Sequence, residues 1–458
     1  MSIKNNINNF LLSKNKKIID AMKIFDNNRC NLAIIIDEKK FFYGIITISD
    51  IRRALLKGNS IDDKILPFVN TSPYLIDNNH NIKDISKILN LNAIKDIDPP
   101  LIPIINKKKK PINLLDIETL KVFNVSKIVN KQHNILIIGG AGYIGSVLCK
   151  NLLKLNYNVT IFDKFIYTNK SKFEKEFRNK KLKLIHGDTR NIIEVFNAIQ
   201  NNSIIIHLGE MVGDPLCEQR PEKTYEVNFL ASISIANICK NLEVDKFIYV
   251  SSCSVYGSNI GTKLLNENSN INPLSVYAKL KNLCEKAIIQ NSGNNCRPCI
   301  LRLGTVFGKS FRPRYDLVVN LFSGLIAKNK KIIINSGNQW RPFVHVEDVS
   351  QSICRIVSMD KSKVNGEVFN IISENLKIGD LGSLIKKKFK DAKVIYNKGL
   401  IDKRDYKVSA DKAKKILKYK PNHSVISGIK EMVKFTKENN INIKSKKYLN
   451  ILNSDKFI

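Results

Sequence analysis

Short apolar runs closed by polar turns recur along the chain. Leu32–Ile36 and Tyr43–Thr47 are two of them, separated by the charged stretch Asp37 to Lys40, and they read as strand, turn, strand. A helix is expected next, starting near Ser49 or Asp50, both good N-cap residues. A weaker copy appears in "PPLIPIINKKKKPINLLDIETL": strand, lysine turn, strand and an acid before a helix, so the front of the chain carries an internal repeat. Farther on, Ile135–Ile138 reads as a strand that runs into the glycine cluster "IIGGAGYIGS". Ile144, Leu148, Leu152 and Leu155 then recur at helical spacing and predict one apolar helix face. A second strand, Asn158 to Phe162, ends at Asp163, and a later apolar run delivers Ser251 and Ser252 at its end.

A chain of 458 residues is too long for one ordinary core and predicts two or three domains. The 43% hydrophobic content suffices for large cores. No run of eighteen apolar residues occurs, so no membrane partner is expected. The opening "MSIKNNINNFLLSKNKK" lacks the features of a signal peptide, and nine scattered cysteines suit a reducing compartment; a cytoplasmic location is expected. Cys296 and Cys299 form a lone CxxC, read as two small apolar residues leading into a strand. The net charge of +34 is spread over the whole chain rather than gathered in a stripe, so no nucleic-acid partner is expected. The runs Lys107 to Lys110 and Lys386 to Lys388 read as solvated turns and helix faces, and the excess charge favours recruitment of anionic substrates.

The glycine cluster has the context of a phosphate cradle: a strand before it, a helix after it, and glycines whose backbone amides can approach a pyrophosphate. Gly139, Gly142 and Gly145 are spaced GxxGxxG rather than GxGxxG, with Tyr143 and Ile144 inside the turn. Asp163 follows about twenty residues later, where a carboxylate binds the ribose hydroxyls of NAD and repels the 2′-phosphate of NADP. In "PLSVYAKLK", Tyr277 and Lys281 stand four apart, on one face of a helix. A phenol is a poor base at its ordinary pKa of about 10, and a neighbouring ammonium, helped by a nicotinamide cation, is expected to lower it into a useful range for proton transfer.

Over residues 134 to about 435 the chain resembles the extended short-chain dehydrogenase/reductases, specifically the NAD-dependent nucleotide-sugar epimerases and dehydratases. The carrying stretches, in the family's order, are "GGAGYIGS", "IFDKF", "HGDTRN", "IIIHLGE", "VNFLAS", "YVSSCSVYG", "YAKLK", "LRLGTVFG" and "QWRPFVHVEDV". The resemblance implies a Rossmann-type, doubly wound α/β fold with a parallel sheet over residues 134–458, and a small C-terminal substrate lobe mainly from segments after 309. It makes Tyr277 the catalytic acid/base, Lys281 its partner on the nicotinamide ribose, and Ser252 (Ser251 as fallback) the hydroxyl on the same substrate oxygen. It places Asp188 on the adenine amine with Thr189 beside it, Leu208 and Gly209 along the adenine ribose, and Arg341 and Arg404 on the nucleotide diphosphate. One departure matters: where the 4,6-dehydratase branch has Asp and Glu after its catalytic Thr, this chain has Cys253 and Ser254, which disfavours dehydration. His207 ends a strand and reads as packed; Glu210 and Asp214 are left without a role.

Residues 1–125 resemble a CBS-domain pair of the kind attached to sugar nucleotidyltransferases, an α+β module joined by a linker at 126–133, within a junction that looks to run from 121 to 132. Gly44, Thr47 and Asp50 match its G-x-x-T-x-x-D motif, which implies adenine-nucleotide contacts; the second copy has Lys110, Asn113 and Asp116 at these places, leaving at most one good nucleotide site. Such pairs also serve purely as dimerisation modules, and a homodimer is expected. The expected function is a cytoplasmic NAD-dependent nucleotide-sugar epimerase of surface-polysaccharide precursor synthesis. The alternatives are a keto-sugar reductase and a non-enzymatic adenylate-sensing scaffold.

Overall fold

The computed structural model describes residues 7–28, 30–73, 75–77, 101–106, 108–116, 121–123, 134–258, 264–293, 296–335, 337–397 and 402–450. The chain forms two compact units, one of residues 1–130 with 190–196 and one of residues 131–189 with 197–458.

In the first unit, β1 (Leu11–Ser13), β2 (Leu32–Ile36) and β3 (Phe42–Thr47) form a sheet that packs with α1 (Ile18–Asn28) and α2 (Ile48–Leu56). Ile18, Phe25, Ile35, Ile46 and Ile51 are buried between them. The N-cap of α2 lies two residues before Ser49 and three before Asp50. It is Thr47, which accepts from the Asp50 amide, while Asp50 reaches back to the Thr47 amide (2.9 Å), a reciprocal capping box. A second sheet joins β4 (Ile76–Asp77), β5 (Leu101–Ile105), β6 (Pro111–Asp116) and β7 (Lys121–Phe123). The repeat is visible in the hairpins: β2–β3 and β5–β6 are both antiparallel, with a register shift at Ile35/Ile36 in one and Ile104/Ile105 in the other. The expected junction does not begin at 121, because Lys121–Phe123 pairs with β6; residues 117–120 and 124–133, including the expected linker, lie outside the described residues.

The second unit is built on seven parallel strands: β8 (Asn134–Ile138), β9 (Asn158–Asp163), β10 (Leu182–His186), β11 (Ile204–His207), β12 (Lys246–Ser252), β13 (Pro298–Leu303) and β17 (Val368–Ile371). They lie in the order β10-β9-β8-β11-β12-β13-β17. The chain winds outward one way from β8 and the other way from β11, so a crevice opens past the carboxyl ends of this pair. Strands buried on both faces must be apolar throughout, and Ile135 to Ile138 are fully buried. After Gly142, α3 (Tyr143–Lys154) buries Leu148 and Leu152, but Leu155 is exposed: it is the C-cap, past the last helical turn. The smaller lobe holds β14 (Thr305–Phe307), β16 (Trp340–His345) and β18 (Glu374–Lys377) in one sheet, and β15 (Ile332–Asn335) with β19 (Val394–Asn397) in another. Within this late part of the chain β17 returns to the main sheet, where it pairs with β13. All nine cysteines are free; Cys299 lies in β13 and Cys296 just before it, both buried. Among the described residues no helix is long and apolar enough to cross a membrane, and no cluster of His, Cys, Asp or Glu is placed to hold a metal.

Candidate functional site

The glycine turn leaves β8 at the crevice. Gly139 has φ +79°, and a Cβ there would lie 2.5 Å from the Gly209 backbone; a Cβ on Gly145 would lie 2.6 Å from the Gly140 backbone. Only glycines allow the turn, the α3 start and the Leu208–Gly209 segment to approach this closely. Gly142 caps α3 without a side-chain bond, which leaves first-turn amides available to an anion. This cradle fits a dinucleotide pyrophosphate. Tyr143, expected in the cofactor turn, points its ring into the core, where its hydroxyl donates to the Gly308 carbonyl (2.7 Å) and burial raises its pKa. Ile144 packs against the same core.

Asp163 ends β9 beside the turn. Its oxygens accept from the amides of Ala141 (2.9 Å) and Phe165 (2.7 Å), so the carboxylate also shapes the turn. Burial raises its pKa, opposed by these bonds. Asp188 pairs with Lys164 at 3.0 Å, with Thr189 adjacent, and Leu208 donates its amide to Ile138 (2.8 Å) at the lip of the crevice.

The serines separate by role. Ser251 is buried and donates to Glu285 (2.5 Å), which also binds Arg302 through Nη2 at 2.7 Å. Ser252, the last residue of β12, is half-buried, and among the described residues its Oγ accepts from the Ser254 amide (3.1 Å). α4 (Val276–Gln290) carries Tyr277 in its first turn and Lys281 on the same face, the ammonium 5.9 Å from the Tyr277 ring centroid. The Tyr277 phenol is pushed well up, not down, chiefly by burial and then by the Glu210 carboxylate. The Lys281 ammonium, expected to lower it, is paired instead with Glu210, at 2.6 Å. Cys253 is buried against the Arg302 carbonyl (3.2 Å), and burial holds its thiol far above its ordinary pKa; it has no acid to offer a leaving hydroxyl.

Arg341 and Arg404 come together, joined by Asp402, which lies 2.7 Å from Arg341 and 2.6 Å from Arg404. Burial would raise the Asp402 pKa, but the two guanidiniums overcome it and hold the carboxyl at about 2. Arg404 also pairs with Asp214, whose other oxygen accepts from Ser275 (2.6 Å), the N-cap of α4. Motif reading left Asp214, Glu210 and Glu285 without roles. The one signal for Glu285 was its spacing, four residues after Lys281 on the buried helix face. In the first unit, Thr47 and Asp50 are engaged in capping α2, and Gly44 is required because a Cβ there would lie 2.5 Å from the Asn70 carbonyl oxygen.

The NAD dependent epimerase/dehydratase family model matches residues 135–371, just over half of the chain, and the CBS-domain model matches residues 7–57. A putative UDP-glucose 4-epimerase of Methanocaldococcus jannaschii is 29% identical over 67% of this chain and 99% of its own length. The solved UDP-glucuronic acid 4-epimerase of Bacillus cereus, in complex with UDP-glucuronic acid and NAD, is 27% identical, with a TM-score of 0.59 over 67% of this chain and 99% of that one. The UDP-glucose 4-epimerase of Thermotoga maritima, 22% identical with a TM-score of 0.61 over 67% and 100%, shares the fold. With its glycine cradle at the crevice of a doubly wound sheet, the chain belongs to the NAD dependent epimerase/dehydratase family and carries a CBS domain in front.

Proposed function

We propose that this protein is a nucleotide-sugar epimerase that inverts a sugar carbon through a keto intermediate, in the synthesis of surface-polysaccharide precursors. The observation that carries the reading is the placement of Tyr277 and Lys281 on one face of α4, with the Ser252 hydroxyl at the end of β12. Gly139, Gly142 and Gly145 with Asp163 would hold NAD, which would supply reversible hydride chemistry at the sugar carbon. Ser252 donates to the sugar oxygen and steadies it. Tyr277, as the phenolate, takes the hydroxyl proton as the sugar carbon becomes a carbonyl and gives it back when that carbonyl is reduced. Arg341 and Arg404 bind the nucleotide diphosphate, for which forked guanidiniums are suited, and exchange Asp402 and Asp214 for it. The buried Cys253 thiol supports epimerisation over dehydration. Similarity to enzymes named for UDP-sugars makes a uridine diphosphate sugar the first substrate to try.

The test is incubation with NAD and UDP-glucuronic acid or UDP-glucose, with the products separated by chromatography. An epimer with no net cofactor consumption is expected. Tyr277→Phe should lower turnover about 10²- to 10⁴-fold with the fold intact. Stoichiometric cofactor oxidation with a keto sugar would replace epimerase by reductase, and full activity of Tyr277→Phe would refute the catalytic assignment.

A further inference from the structure

Glu210 follows β11 at the crevice, and its side chain is only 2% exposed. A carboxylate this deep needs partners on every side. Its Oε1 accepts from the Tyr249 hydroxyl (2.8 Å) and from Ser232 (3.3 Å), and Ser232 in turn bonds His207 Nε2 at 2.8 Å. Its Oε2 lies 2.6 Å from Lys281 Nζ. The same ammonium meets the Val250 carbonyl at 2.5 Å and the Tyr249 hydroxyl at 3.4 Å. Three protein oxygens therefore surround a group that has three N–H donors. Its centre sits 4.6 Å from the Tyr249 ring centroid but 5.9 Å from that of Tyr277.

We propose that Glu210 is a positioning residue of the reacting centre, one that draws the Lys281 ammonium down between β11 and β12 and away from the Tyr277 phenol. The assignment rests on the epimerase reading only in taking Tyr277 and Lys281 as the working pair. Titratable groups face Lys281 and Glu210 from several elements, among them Cys217, whose thiol burial pushes up to about 12. From β11, His207 is held neutral, its pKa lowered to about 3 by burial and by Lys281. From β12 and α4, Tyr249 and Cys284 are kept protonated by burial, Cys284 with a pKa pushed up to about 12. Glu210 is thus the anion that balances Lys281. Tyr277 itself faces Glu210, Cys217, Asp214 and Arg314. When the Glu210 charge is removed, the phenolate becomes the nearest available counter-ion for the ammonium, so the phenol should ionise more easily.

The test is Glu210→Gln, which keeps the size and one acceptor oxygen but not the charge. The Tyr277 phenol is followed by its phenolate ultraviolet absorbance, isolated from the other tyrosines by subtracting the same protein with Tyr277→Phe. Its titration midpoint is expected to fall by about one pH unit or more relative to the parent. Glu210→Asp, whose carboxylate is one methylene farther from Lys281, should give a smaller shift in the same direction, and it serves if the glutamine variant does not fold. A purely structural Glu210 would lower the melting temperature and leave the midpoint where it was. An unmoved midpoint in whichever variant folds overturns the proposal. No sugar nucleotide enters the measurement, so its outcome remains readable even if the epimerase reading fails.

Discussion

Replacing Asp163 by Asn tests whether the carboxylate at the end of β9 serves the dinucleotide. Its two oxygens hold the Ala141 and Phe165 amides at 2.9 and 2.7 Å, and each oxygen keeps a further lone pair for a ribose hydroxyl. A hydrogen bond to a charged acceptor contributes about 1.5–3 kcal/mol. Asparagine keeps one oxygen to steady the turn but loses the charge and one acceptor, so NAD should bind roughly 10- to 100-fold more weakly. The lost charge also stops repelling a 2′-phosphate, so the preference for NAD over NADP should shrink by more than the NAD loss alone. Paired calorimetric titrations with NAD and NADP read both effects, and the melting temperature checks the fold. The pH dependence has a definite sign. Burial raises the Asp163 pKa in the folded chain, and protonation removes the acceptor. On acidification, NAD affinity should therefore begin to fall above the ordinary aspartate value of about 4. An NAD affinity within twofold of the parent, with the NADP preference unchanged, would refute the reasoning.

Three further outcomes follow from the packing. Glu285→Ala leaves Arg302 as a buried cation without its carboxylate and Ser251 without its acceptor; it should cost about 3–5 kcal/mol and lower the melting temperature of the second unit on the order of 5–10 °C, whereas a shift of a degree or two would mean the pair contributes little. Gly139→Ala demands a side chain at φ +79° and 2.5 Å from the Gly209 backbone, so the NAD-induced rise in melting temperature should vanish; a preserved rise would show that the turn can relax. Thr47→Val removes the cap of α2, and hydrogen exchange of the α2 amides should quicken by the equivalent of about 1 kcal/mol; unchanged exchange would mean that the capping box is dispensable.

Apolar runs and glycine spacing already located the strands, the cradle and the working helix, because each is set by local chemistry. Strands buried on both faces must be apolar, a turn with positive φ selects glycine, and residues four apart share a helix face. The shared helix face of Tyr277 and Lys281 was legible for that reason, whereas the choice of Ser252 over Ser251 came from the family resemblance. What the residue pattern did not determine was which charges face one another. Glu210 and Lys281 are 71 positions apart in the sequence, and they meet only because β11 and β12 are neighbours in the sheet and α4 packs beside them. Burial, with the Glu210 charge beside it, reverses the expected direction of the Tyr277 pKa. Asp402 between the two arginines is a decision of the same kind. A short-range pattern specifies an element and its buried face, whereas the electrostatic state of a buried group depends on partners that only the assembled fold brings within a few ångströms.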